Sequence, residues 1–417
     1  MRLAYHIARA ALFVCLCMNA HGTPSYAAAG TILPSYFGLH LHRAGTPESW
    51  PRVPFGSWRL WDAHVSWPHV EPSRGTWDFK LLDRYVALAE DKNVELLLPL
   101  GLSPTWASSR PAEPSAYQRP GWAAEPRNRE DWRNYVRTVA RRYKGRIGFY
   151  EIWNEPNLVR FFSGTPEAMR TLACDAYHAI KEVDPAAKVV SPSPTEKEEG
   201  VAWLDTFFEL GGGQCADIIG FHFYVYAHEP PELIADLIGK AKAVMSRHGL
   251  LGLELWNTET GWYFANLRVP PRTRYKVQTH SGSASYVARA MLVAAANGVS
   301  RFFWYAWDNA SMGGLIEPDT FEAKPAAHAY RQLFRWLVGS SLRSCAAVDA
   351  SVWRCVMVLS NGDKAEILWS VSEAKHWVLP RNHAYKTFEP LLAEPRLLAS
   401  GGASAEVTLT ATPVLLR

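Results

Sequence analysis

Short apolar runs alternate with amphipathic stretches from about residue 36 to residue 338. The runs at 36–42, 56–61, 94–100, 147–155, 188–191, 217–223, 251–259 and 301–307 are short and rich in β-branched and aromatic residues, like strands covered on both faces. The stretches 79–92, 130–143, 166–183, 201–210, 231–247, 283–297 and 325–337 have helical periodicity. Thr165-Pro166 supplies a hydroxyl cap followed by proline at the first helical position. Eight strands with seven helices between or after them predict an α/β fold, a (β/α)₈ barrel. Segment 43–55 has three prolines and no helical period, so the first crossover is expected to lack its helix.

The pattern changes near residue 341. Segments 351–359, 365–370, 405–411 and 413–416 read as strands separated by Gly and Asn turns, with no helix among them. A small, sandwich-like antiparallel β-domain is therefore expected over 341–417, after a barrel over 30–340. Residues 1–29 carry Arg2 and Arg9, an apolar run over 10–20 and three alanines at 27–29. That is the layout of a cleavable export leader, too short for a permanent membrane span. A periplasmic or secreted protein without a membrane span is expected.

Composition adds two constraints. The chain has 44 basic and 40 acidic side chains, a net +4 that falls to +2 without Arg2 and Arg9. No clustered basic excess points to nucleic acid. Tryptophan is abundant, 18 residues against 7 Met, and 15 of the 18 precede residue 341. Indole rings fill cores, and they also stack on flat apolar faces of ligands. Cys345 and Cys355 flank a hairpin turn near Ala350 that would set them opposite each other. Cys174 and Cys215 are expected to be too far apart to bond, one near the top of its helix and the other just before a strand at the bottom.

Catalytic groups of such barrels sit at the carboxyl ends of the strands. Two ends stand out. In Trp153-Asn154-Glu155-Pro156-Asn157 the proline stops the strand and presents Glu155 at the rim. In Asn257-Thr258-Glu259-Thr260-Gly261 a glycine turn follows Glu259. Strand alternation puts Glu259 on the face of Leu255 and Asn257, with Glu254 on the other, and puts Glu151 on the face of Glu155 one layer deeper. The glutamates are 104 residues apart, three βα units, which places them across the ring from one another. A convergent carboxylate pair is what glycoside hydrolysis needs: one protonated acid and one ionised carboxylate.

Those two motifs resemble the retaining β-glycosidases of clan A, and most closely glycoside hydrolase family 39. The likeness extends through Arg59-Leu60-Trp61-Asp62, residues 70–79, His222-Phe223-Tyr224 and Trp304-Tyr305-Ala306-Trp307. Within the family the chain is most like the PslG-type hydrolases encoded with bacterial exopolysaccharide synthesis. The resemblance implies Glu155 as acid/base and Glu259 as nucleophile. It implies that Asn154 holds the sugar 2-hydroxyl, Tyr224 hydrogen-bonds Glu259, His222 lines the pocket, Trp304 or Trp307 floors the sugar subsite, and Arg59 supports the nucleophile.

The substrate expected from this is a neutral or mildly charged polysaccharide, cut by a monomer that needs no cofactor; exopolysaccharide export machinery is a candidate partner. The same residues would serve a glycan-binding protein without turnover, or a transglycosylase. His40 and His42 share a strand face without a third metal ligand, so His42 is assigned to sugar contact and no metal is expected. Glu151 reads as a buried structural ion-pair partner, with Arg59 the candidate. The long loops 103–129 and 262–280 offer Trp106, Trp122 and Trp262 as stacking platforms along a groove.

Overall fold

The structure, a computed structural model, describes residues 30–45, 49–380, 383–398 and 405–417. The proposed leader at 1–29 lies outside the described residues. Among those described, no helix is long and apolar enough to cross a membrane.

Eight parallel strands close into a barrel in chain order: β1 Phe37–His40, β2 Ser57–Arg59, β3 Glu95–Leu100, β4 Phe149–Ile152, β5 Lys188–Val190, β6 Ile218–Phe221, β7 Glu254–Thr260 and β8 Val299–Trp304. β8 closes the ring on β1, with Gly38 opposite Phe303. Around it lie a short α1 Trp67–Val70, then α2 Lys80–Lys92, α3 Arg129–Arg142, α4 Pro166–Val183, α5 Glu198–Glu209, α6 Ile234–Arg247, α7 Ser283–Ala296 and α8 Pro325–Leu337. Among the described residues no α-helix lies between β1 and β2, as the proline-rich crossover predicts. Thr165 caps α4, its hydroxyl accepting from the Ala168 amide at 3.3 Å.

Side chains alternate between two cores. Leu97, Val190, Ile218, Trp256 and Phe303 meet inside the barrel. Leu96, Leu98, Leu255 and Phe302 face the helices. Burying both faces of every strand is why these segments read as nearly continuous apolar runs rather than as alternating ones.

After α8 come strands β9 Ser341–Ala347, β10 Val352–Val358, β11 Lys364–Ser370, β12 Lys375–Val378, β13 Thr387–Pro390, β14 Arg396–Leu397, β15 Glu406–Leu409 and β16 Val414–Leu416. They form a six-stranded sheet ordered β14-β13-β16-β11-β10-β9 and a β12–β15 pair. This unit packs on the barrel through polar anchors. Trp369 donates to Glu232 at 2.7 Å, and Glu232 is itself held by both prongs of Arg289 on α7. Trp336 of α8 donates to Glu389 at 2.9 Å.

Cys345 and Cys355 are directly opposed on β9 and β10 and are bonded. Cys174 and Cys215 are also bonded, with Cα atoms 4.9 Å apart, which corrects the expectation from the sequence. After α5 the chain turns at Gly211, whose φ of 81° is readily reached by glycine. The short turn Gly212–Cys215 then folds back against the middle of α4 instead of staying at the barrel floor, and Arg170 of α4 reaches the Leu210 carbonyl at 3.1 Å.

Candidate active site

The ends of β4 and β7 both break the strand period. At β4, Ile152 and Trp153 both join the outer core, because Trp153 takes φ 63° and ends the alternation. Asn154 then turns inward and Glu155, at φ 45°, points into the cleft. Left-handed backbone costs energy for residues with a Cβ and is concentrated at functional sites. At β7, Leu255 faces the helices and Trp256 the lumen, and the pairing with β8 shifts between Asn257 and Thr260. Simple alternation would have sent Glu259 outward with Leu255; the irregularity turns it into the cleft. Strict alternation, as expected from the sequence, therefore fails at both strand ends, although the same glutamates face the cleft. Glu254 stays exposed at the start of β7 and accepts from Trp256 at 2.7 Å. Gly261 follows because a Cβ there would lie 2.1 Å from the Tyr305 carbonyl oxygen.

A carboxylate oxygen of Glu155, one of Glu259 and a ring nitrogen of His222 lie within 4.8 Å of one another. Beneath them sits Arg59, wholly buried. Its Nε donates to Glu151 at 2.6 Å, Nη1 to Glu259 at 2.8 Å and Nη2 to Asn154 Oδ1 at 2.7 Å. Glu151 is completed by the Ser193 hydroxyl at 2.5 Å, so it forms a buried ion pair below the cleft. With its oxygen held by Arg59, Asn154 has only its NH₂ to offer a ligand. Tyr224 donates to Glu259 Oε1 at 3.0 Å, and His222 Nδ1 lies 3.1 Å from Glu155 Oε1.

The two glutamates are therefore unequal. Burial pushes each carboxyl up to about 7, and their mutual repulsion opposes ionising both. Glu259 accepts from a guanidinium and a phenol, which favour its charged form. Glu155 faces a histidine that burial lowers to about 4, a neutral ring at pH 7. The shared proton therefore rests on Glu155. The same three donors are close enough to hold a metal ion, but the Arg59 charge 2.8 Å from Glu259 opposes a cation there.

The cleft has two lobes that share Trp61, Asp62 and Tyr305. The catalytic lobe, about 740 Å³, holds both glutamates, Asn154 and Tyr224 and runs toward the loops after β4 to β7. The second lobe, about 530 Å³, is lined by His42, His64, His69, Tyr117 and Trp122 on the β1 to β3 side. Asp62 stands between them, accepting from Tyr117 at 2.8 Å and Tyr305 at 2.7 Å. Sequence reasoning found no role for Asp62 and missed Tyr305; the signal available was an acid directly after a barrel strand end.

Several predicted ring contacts need correction. Trp304 is fully buried, stacked on Trp262 and Phe264, with its N–H on the Gly313 carbonyl. Trp307 is 3% exposed, and neither ring lines a lobe. They fill the layer between barrel and loops and do not floor the sugar site. Trp106 points away from the glutamates, donating to the Glu71 carbonyl at 3.0 Å under the Arg74 guanidinium. His42 lies in the second lobe beside Tyr305, away from the carboxylate pair. Trp122 is half-buried against His69 and does line that lobe. Trp262 does line the catalytic lobe, but it is 1% exposed, so Trp262→Ala is expected to cost about 3–5 kcal/mol of stability, as core tryptophans do. Trp122→Ala should leave the melting temperature nearly unchanged and raise KM for long chains only. Thermal melts beside KM values for oligosaccharides of increasing length check both.

Residues 62–226 match the family model for glycosyl hydrolases family 39. That span runs from just after β2 to just beyond β6, so it includes Glu155 and stops short of Glu259. A β-xylosidase of Caldicellulosiruptor saccharolyticus is 31% identical over 150 residues, which are 32% of this chain and 30% of that protein. The chain thus spans under a third of that relative's length in the match. Among solved structures, a family 39 glycoside hydrolase from Bacteroides cellulosilyticus WH2 superposes with a TM-score of 0.74 at 18% identity, covering 94% of this chain and 83% of that one. A monomeric β-xylosidase from Caulobacter crescentus CB15 gives 0.65 at 16% identity, covering 93% and 97%. A family 30 endoxylanase from Clostridium papyrosolvens gives 0.63 at 12% identity, covering 94% and 97%. At these identities the likeness is one of fold: a barrel with a carboxy-terminal β-unit.

Proposed function

We propose that the chain is a retaining glycoside hydrolase of the family 39 type that cuts β-glycosidic bonds in a polysaccharide. The observation that carries this reading is the carboxylate pair itself, oxygens within 4.8 Å, with the Arg59 guanidinium and the Tyr224 phenol both bonded to Glu259. Carboxyl groups about 5–5.5 Å apart suit a double displacement, whereas inverting enzymes leave room for a water between them.

In the first step Glu259 attacks the anomeric carbon while Glu155 protonates the departing oxygen. Glu155, now a carboxylate, then takes a proton from the water that releases the sugar from Glu259. Asn154 and Arg59 act together: the guanidinium fixes the amide so that its NH₂ donates to the sugar 2-hydroxyl oxygen and holds the ring in place over Glu259. A cleft that continues from the lobe holding the pair, past Asp62, into a second lobe suits a chain that passes through it and is cut internally. The family match, the likeness to PslG-type proteins and the leader-like start support a bacterial exopolysaccharide as substrate, met in the periplasm or outside the cell. Two disulfides suit such an oxidising compartment.

Proton NMR of the first products tests the mechanism. The expected result is release of the β-anomer ahead of mutarotation from a β-linked polymer or aryl β-glycoside. Initial release of the α-anomer would rule out double displacement.

A further inference from the structure

The wall of the catalytic lobe beyond Glu155 carries three cations that, among the described residues, form no close ion pair; the Arg160 charge acts on Glu155 only from a distance. Arg160 follows β4, and Arg274 and Lys276 lie in the loop after β7; all are exposed and line the cleft. Elsewhere this chain ties exposed arginines to carboxylates, as in Arg74–Asp131 at 2.6 Å, Arg142–Asp83 at 2.5 Å and Arg146–Glu90 at 2.7 Å. Lys197, on the same lobe, is held by Glu229 at 2.5 Å.

Among the described residues, the direct contacts of the two cleft arginines are instead with aromatic rings. The Arg160 guanidinium lies 5.0 Å over Phe161, and that of Arg274 lies 5.5 Å over Tyr275. Tyr275 stacks on Tyr263 at 5.3 Å, which gives a flat face beside the two guanidiniums. Besides Asp62 and the catalytic pair, the acids of this lobe are Glu196 and Glu199, both in the segment after β5.

Resting on the reading that Glu155 protonates the leaving oxygen, this wall meets the departing part of the chain. We propose that it is a subsite for an acidic sugar, one whose ring stacks on the open face of the Tyr263–Tyr275 pair while its carboxylate is taken by Arg160 and Arg274. A planar guanidinium matches a carboxylate in two-pronged geometry, and unpaired cations on a cleft wall bind such an anion without first breaking an internal ion pair. Lys276 adds a point charge that draws the same anion in. The substrate is then a polymer carrying uronic acid units rather than a neutral one.

Native affinity gels with the Glu259→Gln protein test this, using polygalacturonate, alginate or glucuronoxylan against neutral glucomannan and xyloglucan. At least one acidic polymer should retard the protein more than either neutral one. The triple variant Arg160→Gln, Arg274→Gln, Lys276→Gln should weaken that retardation about tenfold. A charge-matched triple at Arg141, Lys144 and Lys364, exposed residues away from the cleft, should leave it unchanged. No retardation by any acidic polymer, or equal weakening by the two triples, overturns the proposal. The hydrolase reading fails separately, if the wild-type protein binds an acidic polymer yet frees no reducing ends from it.

Discussion

Replacing Glu259 with Gln is expected to lower kcat by on the order of 10⁵-fold on every substrate, activated or not, as removal of a nucleophile does. The isosteric amide removes the charge that attacks the anomeric carbon and keeps the shape of the site. Its carbonyl oxygen can still accept from Arg59 or Tyr224, now 2.8 and 3.0 Å away, so the cleft should stay assembled. The variant should therefore melt close to the wild type and still bind substrate. Burst kinetics sharpen the test: no glycosyl-enzyme should form, so no rapid release of an aryl group should precede the slow phase. Turnover of natural polymer within tenfold of wild type would remove Glu259 as nucleophile.

Much of this site was legible in the sequence because turn residues mark strand ends whatever the packing. Gly261 marks where β7 stops and Pro156 closes the turn that follows the end of β4 at Ile152, and the spacing of the strands puts those ends across the barrel. The exact facing of the side chains was not legible in the same way. Alternation fails at Trp153, which turns left-handed, and in the β7–β8 register, and neither departure has a composition signal. The carboxylates still converge because both irregularities fall at the rim, where the chain leaves the sheet and is free to rotate a side chain inward.

The tryptophans misled for a related reason. Trp262, Trp304 and Trp307 sit at strand ends or loop starts, so position alone suggested a sugar platform. The long loop after β7 instead covers Trp304: Phe264 and Trp262 stack on it and make a second apolar layer above the barrel, and of the three indoles only Trp262 reaches the lining of the lobe. The Cys174–Cys215 bond escaped notice because it depends on the path of a five-residue turn on the outside of the barrel. Tyr117 and Tyr305 come from loops far apart in sequence, and only the folded chain brings both to Asp62.

Replacing Glu155 with Gln should separate the two halves of the reaction, with a different outcome for each kind of substrate. For a polymer with a poor leaving group, the first step loses its proton donor, and a fall of about 10²–10⁴-fold is expected. For an aryl glycoside with an acidic phenol, that step needs no proton, so the glycosyl-enzyme should form rapidly and then persist. Its hydrolysis needs Glu155 as base; azide, which needs no deprotonation, should restore turnover and yield the β-glycosyl azide. The pH profile carries the sign of the assignment. Burial raises Glu155 to about 7, so the acid form is present below that pH and is lost as pH rises through it. Wild-type kcat/KM on polymer should fall on the alkaline side with that midpoint. On the same polymer, the residual kcat/KM of Glu155→Gln should show no alkaline fall, while the acid-side fall from protonation of Glu259 should remain. An unchanged alkaline limb in Glu155→Gln would place the general acid on another residue.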